Sequence, residues 1–195
     1  MNKRDQMKKI KDAVLSFNGS SLAKERKKNG TFPVIGEGSH DAKVIFIGEA
    51  PGKNESLTGK PFCGSAGKIL DELFESIEMK REDVYITNIV KDRPPNNRDL
   101  FPEEIEAYAP FLEEQLKIIE PKIIVTLGRF SSHFILEKFG EKDKIAPISM
   151  IRGRVFSTKD IKILPLFHPA SVIYDRSKKE LLINDFQTLK KIIND

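Results

Sequence analysis

The sequence predicts an α/β fold, a three-layer α/β/α sandwich around a central, mainly parallel, four-stranded sheet. Three observations carry that expectation. Short apolar runs at 44–47, 84–90, 123–127 and 161–166 read as strands covered on both faces. Between them lie stretches with apolar residues at three- and four-residue spacing, the pattern of covering helices. Gly, Pro or Asn closes or follows each run, where loops leave the carboxyl edge of a parallel sheet and ligands bind.

The elements follow in order. Met7, Ile10, Val14 and Phe17 fall at helical spacing, so residues 4–17 read as an amphipathic helix with a lysine-rich outer face. A polar connection leads to Val44-Ile45-Phe46-Ile47, which ends in Gly48. A helix over 66–77 precedes the second strand, 84–90, which breaks at Pro94-Pro95-Asn96-Asn97. Pro102 with Glu103 and Glu104 opens another helix, since proline and acids both suit a first turn. The strand at 123–127 meets Gly128, a helix spans 130–139, the strand at 161–166 runs into His168-Pro169, and a helix over 178–193 closes the chain. All of 1–195 is expected to form one domain, with residues 1–28 a basic helical segment packed on it.

The charge is uneven. Residues 1–28 carry nine Lys or Arg against three Asp or Glu, while the whole chain has a formal net charge of only +4. Such a basic flank suits a polyanionic partner, because phosphate neutralisation drives much of nucleic-acid affinity; its plainer reading is a solvated helix face. No apolar run approaches the ~20 residues that cross a bilayer, and Met1 to Gln6 lead into charge rather than a signal sequence. The expectation is a soluble, monomeric, cytoplasmic and nucleoid-associated protein without a membrane partner. Cys63 is the single cysteine, which excludes an intramolecular disulfide and a cysteine-built metal site, so the expected cofactor is none.

Several motifs converge on the predicted strand ends. They are Gly48-Glu49-Ala50-Pro51-Gly52 with Glu55, Gly59-Lys60-Pro61-Phe62, Thr87-Asn88 through Arg93-Pro94-Pro95-Asn96-Asn97-Arg98, and Phe167-His168-Pro169-Ala170. In this order and placement the set resembles the family 4 uracil-DNA glycosylases, from about Val34 to Asp185. The resemblance implies hydrolysis of the N-glycosidic bond of deoxyuridine in single- or double-stranded DNA, with the base flipped out of the stack.

Cutting that bond builds positive charge on the sugar and negative charge on the departing base. The resemblance makes Glu49, Asn97 and His168 catalytic. His168 donates a hydrogen bond to a uracil oxygen, and Glu49 or Asn97 handles the water, with Asn96 an alternative to Asn97. Gly48, Ala50, Pro51, Gly52, Glu55, Phe62 and Asn88 are expected to bind the base. Asn88 can offer an acceptor to uracil N3–H and a donor to O4, and Phe62 can stack on the ring. Where better-known uracil glycosylases carry a thymine-excluding tyrosine, this sequence has Gly52, which leaves Glu55 as the candidate gate against the 5-methyl group. Arg98, Arg152, Arg154, Ser171 and Arg176 are expected to meet the DNA backbone. Plainer readings stand beside these: Glu49 as a cap of backbone amides, Asn88 as a strand-end cap, Phe62 as core, and Asn96 and Asn97 as turn formers. His133 has no matching role.

The sequence departs from the family at one place. Most members hold a [4Fe–4S] cluster with four cysteines, and the matching positions here read Phe17, Ser20, Asp92 and Tyr108. Phe17 and Tyr108 are expected to pack together instead, tying the first helix to the body. Two decoys fall away: Gly64-Ser65-Ala66-Gly67-Lys68 lacks the full phosphate-loop pattern, and Cys63 matches no nucleophile of the family. The alternative function is a uracil-DNA binding protein that traps or recognises the site without turnover. Related proteins trap through a histidine in an inserted loop, and Asp92 to Asp99 contains neither histidine nor insertion.

Overall fold

The computed structural model describes residues 1–158 and 160–194. Its sheet is built on four parallel strands, β2 (Val44–Gly48), β3 (Tyr85–Asn88), β4 (Ile123–Leu127) and β6 (Lys162–Leu166). Two two-residue edge strands, β1 (Glu37–Gly38) and β5 (Phe156–Ser157), pair antiparallel outside them, so the order is β1-β3-β2-β4-β6-β5. The sheet therefore has six strands rather than the expected four. A two-residue strand has no readable period, and its pairing is decided by the open edge beside it.

Alternation along the buried strands separates two cores. Ile45, Ile47, Ile124 and Ile163 face one layer with α1 (Lys3–Ser16), α5 (Pro102–Ile119) and α6 (Arg129–Lys138). Val44, Phe46, Val125, Leu127 and Leu164 face the other, with α4 (Ser65–Glu75) and α9 (Lys178–Asn194). Phe46, Phe74 and Phe186 meet there with centroids 4.9 to 6.0 Å apart. Each fully buried ring contributes roughly 1.5–3 kcal/mol.

Local chemistry sets the helix ends. Asn2 caps α1 by accepting the Asp5 amide at 2.8 Å. Pro102 occupies the first turn of α5 while Glu104 reaches back to the Phe101 amide at 2.9 Å. The polar connection after α1 contains a further helix, α2 (Ser21–Asn29), capped by Ser20 and stopped by Gly30 in the left-handed region. Its buried residues are Leu22, Ala23 and Arg26, too few apolar groups to give a periodic signal. Short helices α3 (Lys53–Thr58), α7 (Ile148–Ile151) and α8 (Ser171–Tyr174) lie in the connections. Among the described residues no helix is long and apolar enough to cross a membrane.

The topology locates a crevice. From central β2 the chain first crosses to β3 on one side and later returns through β4 on the other, so the loops after β2 and β4 diverge at the carboxyl edge.

Candidate active site

At that edge Gly48 ends β2 and Asn88 ends β3, paired in register. A Cβ on Gly48 would collide with the Asn88 amide oxygen and come within 2.9 Å of the Phe62 ring. Those two side chains thus converge over a glycine that leaves them room. Asn88 is buried, and its Oδ1 has no hydrogen-bond partner among the described residues. A buried acceptor left unpaired costs about 1–3 kcal/mol, which a ligand donor would recover.

Phe62 is also buried, and its backbone sits at φ 48°. A bulky residue held in the left-handed region carries strain of order 1 kcal/mol or more, typical of binding sites. The strain sets the ring against His168, centroids 5.5 Å apart and planes 25° from parallel. Gly67 makes room for this turn, since a Cβ there would run into the Phe62 carbonyl.

His168 follows β6. Its Nδ1 accepts the Ala170 amide at 3.1 Å, and because a main-chain N–H can only donate, the ring proton of the neutral imidazole lies on Nε2. Burial pushes the imidazole down to about 4, so the neutral, Nε2-donating form prevails at physiological pH.

Glu49 lies one residue beyond Gly48 and is half-buried. Its Oε1 accepts the Phe130 amide at 3.1 Å in the first turn of α6. Burial raises its pKa, opposed by that amide and by the Arg129 guanidinium. Gly128, at φ 102°, both makes the turn and admits the carboxylate, since a Cβ there would collide with it. Arg129 in turn pairs with Asp99, which lies at the end of the proline loop. The Gly128-Arg129-Phe130 corner was not singled out from the sequence. Its signal was there: Gly128 closes its apolar run as Gly48 closes the first.

Asn96 and Asn97 both adopt positive φ, the behaviour of turn formers. Asn97 is exposed and its amide oxygen accepts Arg93 Nε at 2.7 Å. Glu55 folds back beside Gly52, so that a Cβ on Gly52 would stand 2.6 Å from its Oε2, while its Oε1 accepts the Gly64 amide at 3.1 Å. The start of α4, the phosphate-loop decoy, is thereby occupied by a carboxylate of the chain itself. Ala50 is half-buried and Pro51 buried, both lining the turn between β2 and α3.

Three loops thus bring the Asn88 amide, the Phe62 ring and the neutral His168 imidazole to one edge, near the half-buried Glu49 carboxylate. The family model of the uracil DNA glycosylase superfamily matches residues 35–195, a span that holds all of them. The chain belongs to that superfamily. A Type-4 uracil-DNA glycosylase of Sulfurisphaera tokodaii is 42% identical over 193 residues, covering 96% of this chain and 85% of the relative. One of Archaeoglobus fulgidus is 43% identical over 169 residues, covering 85% and 84%. One of Thermotoga maritima is 40% identical over 172 residues, covering 85% of each.

The four positions that the resemblance matches to iron–sulfur ligands hold other chemistry in this structure. The Phe17 and Tyr108 rings meet edge to face at 5.2 Å and 71°, and Phe111 joins Phe17 at 5.1 Å. The Tyr108 hydroxyl donates to Asp92, whose other oxygen lies 3.1 Å from Arg26 Nε. That contact is off-line for a hydrogen bond, so charge rather than direction holds it. Arg26 also donates to the carbonyls of Val14 and Leu15 at 3.1 and 3.3 Å. Ser20 caps α2 through the Leu22 amide. Aromatic carbon, a guanidinium and a paired carboxylate fill the space and offer no thiolate, so the residues do not fit an iron–sulfur cluster. Among the described residues no cluster of His, Cys, Asp and Glu could hold a metal. Cys63 is exposed, its Sγ 3.3 Å from the Thr58 hydroxyl.

The arginines expected to meet DNA divide into two kinds. Arg98 forks onto Glu104 at 2.6 and 2.9 Å and lies over the Phe101 ring, and Arg152 forks onto Asp185. Their guanidinium edges are therefore already committed to carboxylates, which speaks against both as free phosphate ligands. Arg154 and Arg176 are exposed. Ser171, just after His168, has a buried hydroxyl without a partner among the described residues. The His133 Nε2 lies 3.2 Å from the Ala146 carbonyl.

Proposed function

We propose that this protein is a monofunctional uracil-DNA glycosylase: it flips deoxyuridine out of DNA, hydrolyses the N-glycosidic bond, and releases uracil to leave an abasic site. One observation carries the reading. Asn88 Oδ1, a buried acceptor without a partner among the described residues, converges over Gly48 with the Phe62 ring, which itself stacks on the neutral His168.

The pocket reads uracil with Asn88 Oδ1 taking N3–H and its Nδ2 donating to O4, a pairing that cytosine's reversed edge mismatches. Phe62 stacks on the ring. As the bond breaks, charge gathers on the base oxygens, and His168 Nε2–H donates to one of them while its neutral form avoids transferring a proton too early. Glu49 orients the water and faces the cationic sugar, acting through charge without a covalent bond. We assign the water to Glu49 over Asn97, because Arg93 already holds the Asn97 amide oxygen. Glu55 gates thymine, its carboxylate standing where a side chain on Gly52 would project. Gly48, Ala50, Pro51 and Gly52 shape the wall of the pocket.

Exposed Arg154 and Arg176 and the Ser171 hydroxyl hold the DNA backbone, with Arg98 and Arg152 reaching it only by leaving Glu104 and Asp185. Ile173 and Tyr174, 52% and 89% exposed after His168, fill the gap left by the extruded nucleotide. The enzyme works as a monomer without a cluster.

The test is incubation with a uracil-containing oligonucleotide followed by alkali. Strand breaks confined to the uracil substrate, absent with thymine or cytosine, are the expected result. A gel shift that survives denaturant would instead favour the trapping protein, and wild-type cleavage by both Glu49→Ala and His168→Ala would remove the site.

A further inference from the structure

Lys91 lies in the motif after β3, yet nothing in the reaction described above uses it. It has no exposed surface, and among the described residues no carboxylate pairs with it; neighbouring Asp92 is engaged by Tyr108 and Arg26. Its Nζ instead reaches three neutral oxygens: Thr87 Oγ1 at 2.7 Å, the Asn88 main-chain carbonyl at 2.7 Å, and Gln115 Oε1 at 2.6 Å. Burial pulls the lysine well below its ordinary pKa. An amine buried in this way costs free energy that a methionine of similar length would avoid, so stability is a poor account of it.

The geometry offers a better one. Among the described residues Asn88 Oδ1 has no hydrogen-bond partner, so the direction of its amide, which converges with Phe62 over Gly48, is set chiefly by its backbone. On the amide side the chain beyond Asn88 is held by β2, through Ile89 N–H to the Gly48 carbonyl at 3.0 Å and Val90 N–H to the Glu49 carbonyl at 3.1 Å. On the carbonyl side it is held by Lys91. The clamp is itself anchored. Gln115 donates from α5 to the Ile35 carbonyl at 2.9 Å and to Tyr85 Oη at 3.0 Å, and Thr87 donates to the same Ile35 carbonyl at 2.7 Å.

We propose that Lys91 is a positioning residue for Asn88: by gripping its carbonyl from α5 and β3, it presents the amide to the extruded base in one orientation. The proposal rests on the reading of Asn88 as the group that meets uracil. Misalignment of a bidentate reader weakens the hydrogen bonds that strengthen as the base departs, while the DNA grip, formed elsewhere, is untouched.

A double-mutant cycle under single-turnover conditions tests it, using Lys91→Met, Asn88→Ala and the pair, with thermal unfolding recorded for each. Lys91→Met is expected to slow uracil excision about thirtyfold while DNA affinity stays within about threefold. In the Asn88→Ala background the same change is expected to cost less than about threefold, because a lysine that acts through Asn88 has nothing left to position. Equal losses in both backgrounds, or a wild-type rate for Lys91→Met beside a crippled Asn88→Ala, would overturn this proposal alone. A wild-type rate for Asn88→Ala would overturn the reading of Asn88 and this proposal with it. Should Lys91→Met fail to fold, Gln115→Met removes one of the three oxygens. It is expected to cost about fivefold alone and nothing measurable in the Asn88→Ala background, and an additive loss counts against the clamp.

Discussion

Glu49 and Asp92 are both carboxylates that burial raises above the usual range, and both follow parallel strands of one sheet, yet their surroundings use them differently. Asp92 has one oxygen taken by Tyr108 and the other faced by Arg26. Glu49 accepts main-chain amides from the start of α6, and among the described residues no side chain bonds to it. Asp92, held by one hydroxyl and one guanidinium charge, ties α1 and α2 to the body. Glu49 keeps lone pairs free of side-chain donors, and among the described residues the Asn88 oxygen and the Ser171 hydroxyl also lack hydrogen-bond partners.

Substitution should separate the two regions. The largest effect is expected from Glu49→Gln, which keeps the shape and removes the charge. Single-turnover excision should fall by about 10²–10⁴-fold with the unfolding midpoint nearly unchanged. The pH profile sharpens the same test. Because burial raises the Glu49 pKa, the ionised form is gained only above the usual carboxylate range, so the wild-type rate should climb through that shifted pKa as pH rises. Burial pushes His168 down to about 4, so no break should appear near the ordinary histidine pKa of ~6.5. Glu49→Gln should abolish the ascending limb.

Asp92→Ala should do the reverse. It leaves the buried Arg26 without its countercharge, and urea unfolding should report a loss of about 3–5 kcal/mol. Excision by the folded protein should change less than about threefold. A rate that collapsed while stability held would dissolve the contrast between the regions. Smaller still is the effect expected of Arg176→Ala, which should weaken DNA binding for all sequences and lower the slope of log affinity against log salt by about 1. Arg98→Ala should lower that slope less, since Glu104 already holds its guanidinium.

Much of this was legible in the chain. The four parallel strands and the helices between them appear where the apolar runs and helical spacings place them, and the loop after each strand carries the residues that meet at the edge. Phe17 and Tyr108 pack against each other, as expected of the pair. Other features were not legible. Edge strands of two residues have no period, and α2 hides its one helical turn of contact behind lysines.

The sequence by itself determined the layered fold and the order of its motifs, because a strand covered on both faces must be a continuous apolar run and its turn must be written in adjacent residues. Tertiary structure alone decided which charges are free. Arg152 finds Asp185 from 33 positions away, Lys91 finds Gln115 from 24, and Glu49 finds the Phe130 amide from 81. Such partners are chosen by approach through space, where distance and desolvation set the energy, and neither quantity is encoded in local spacing.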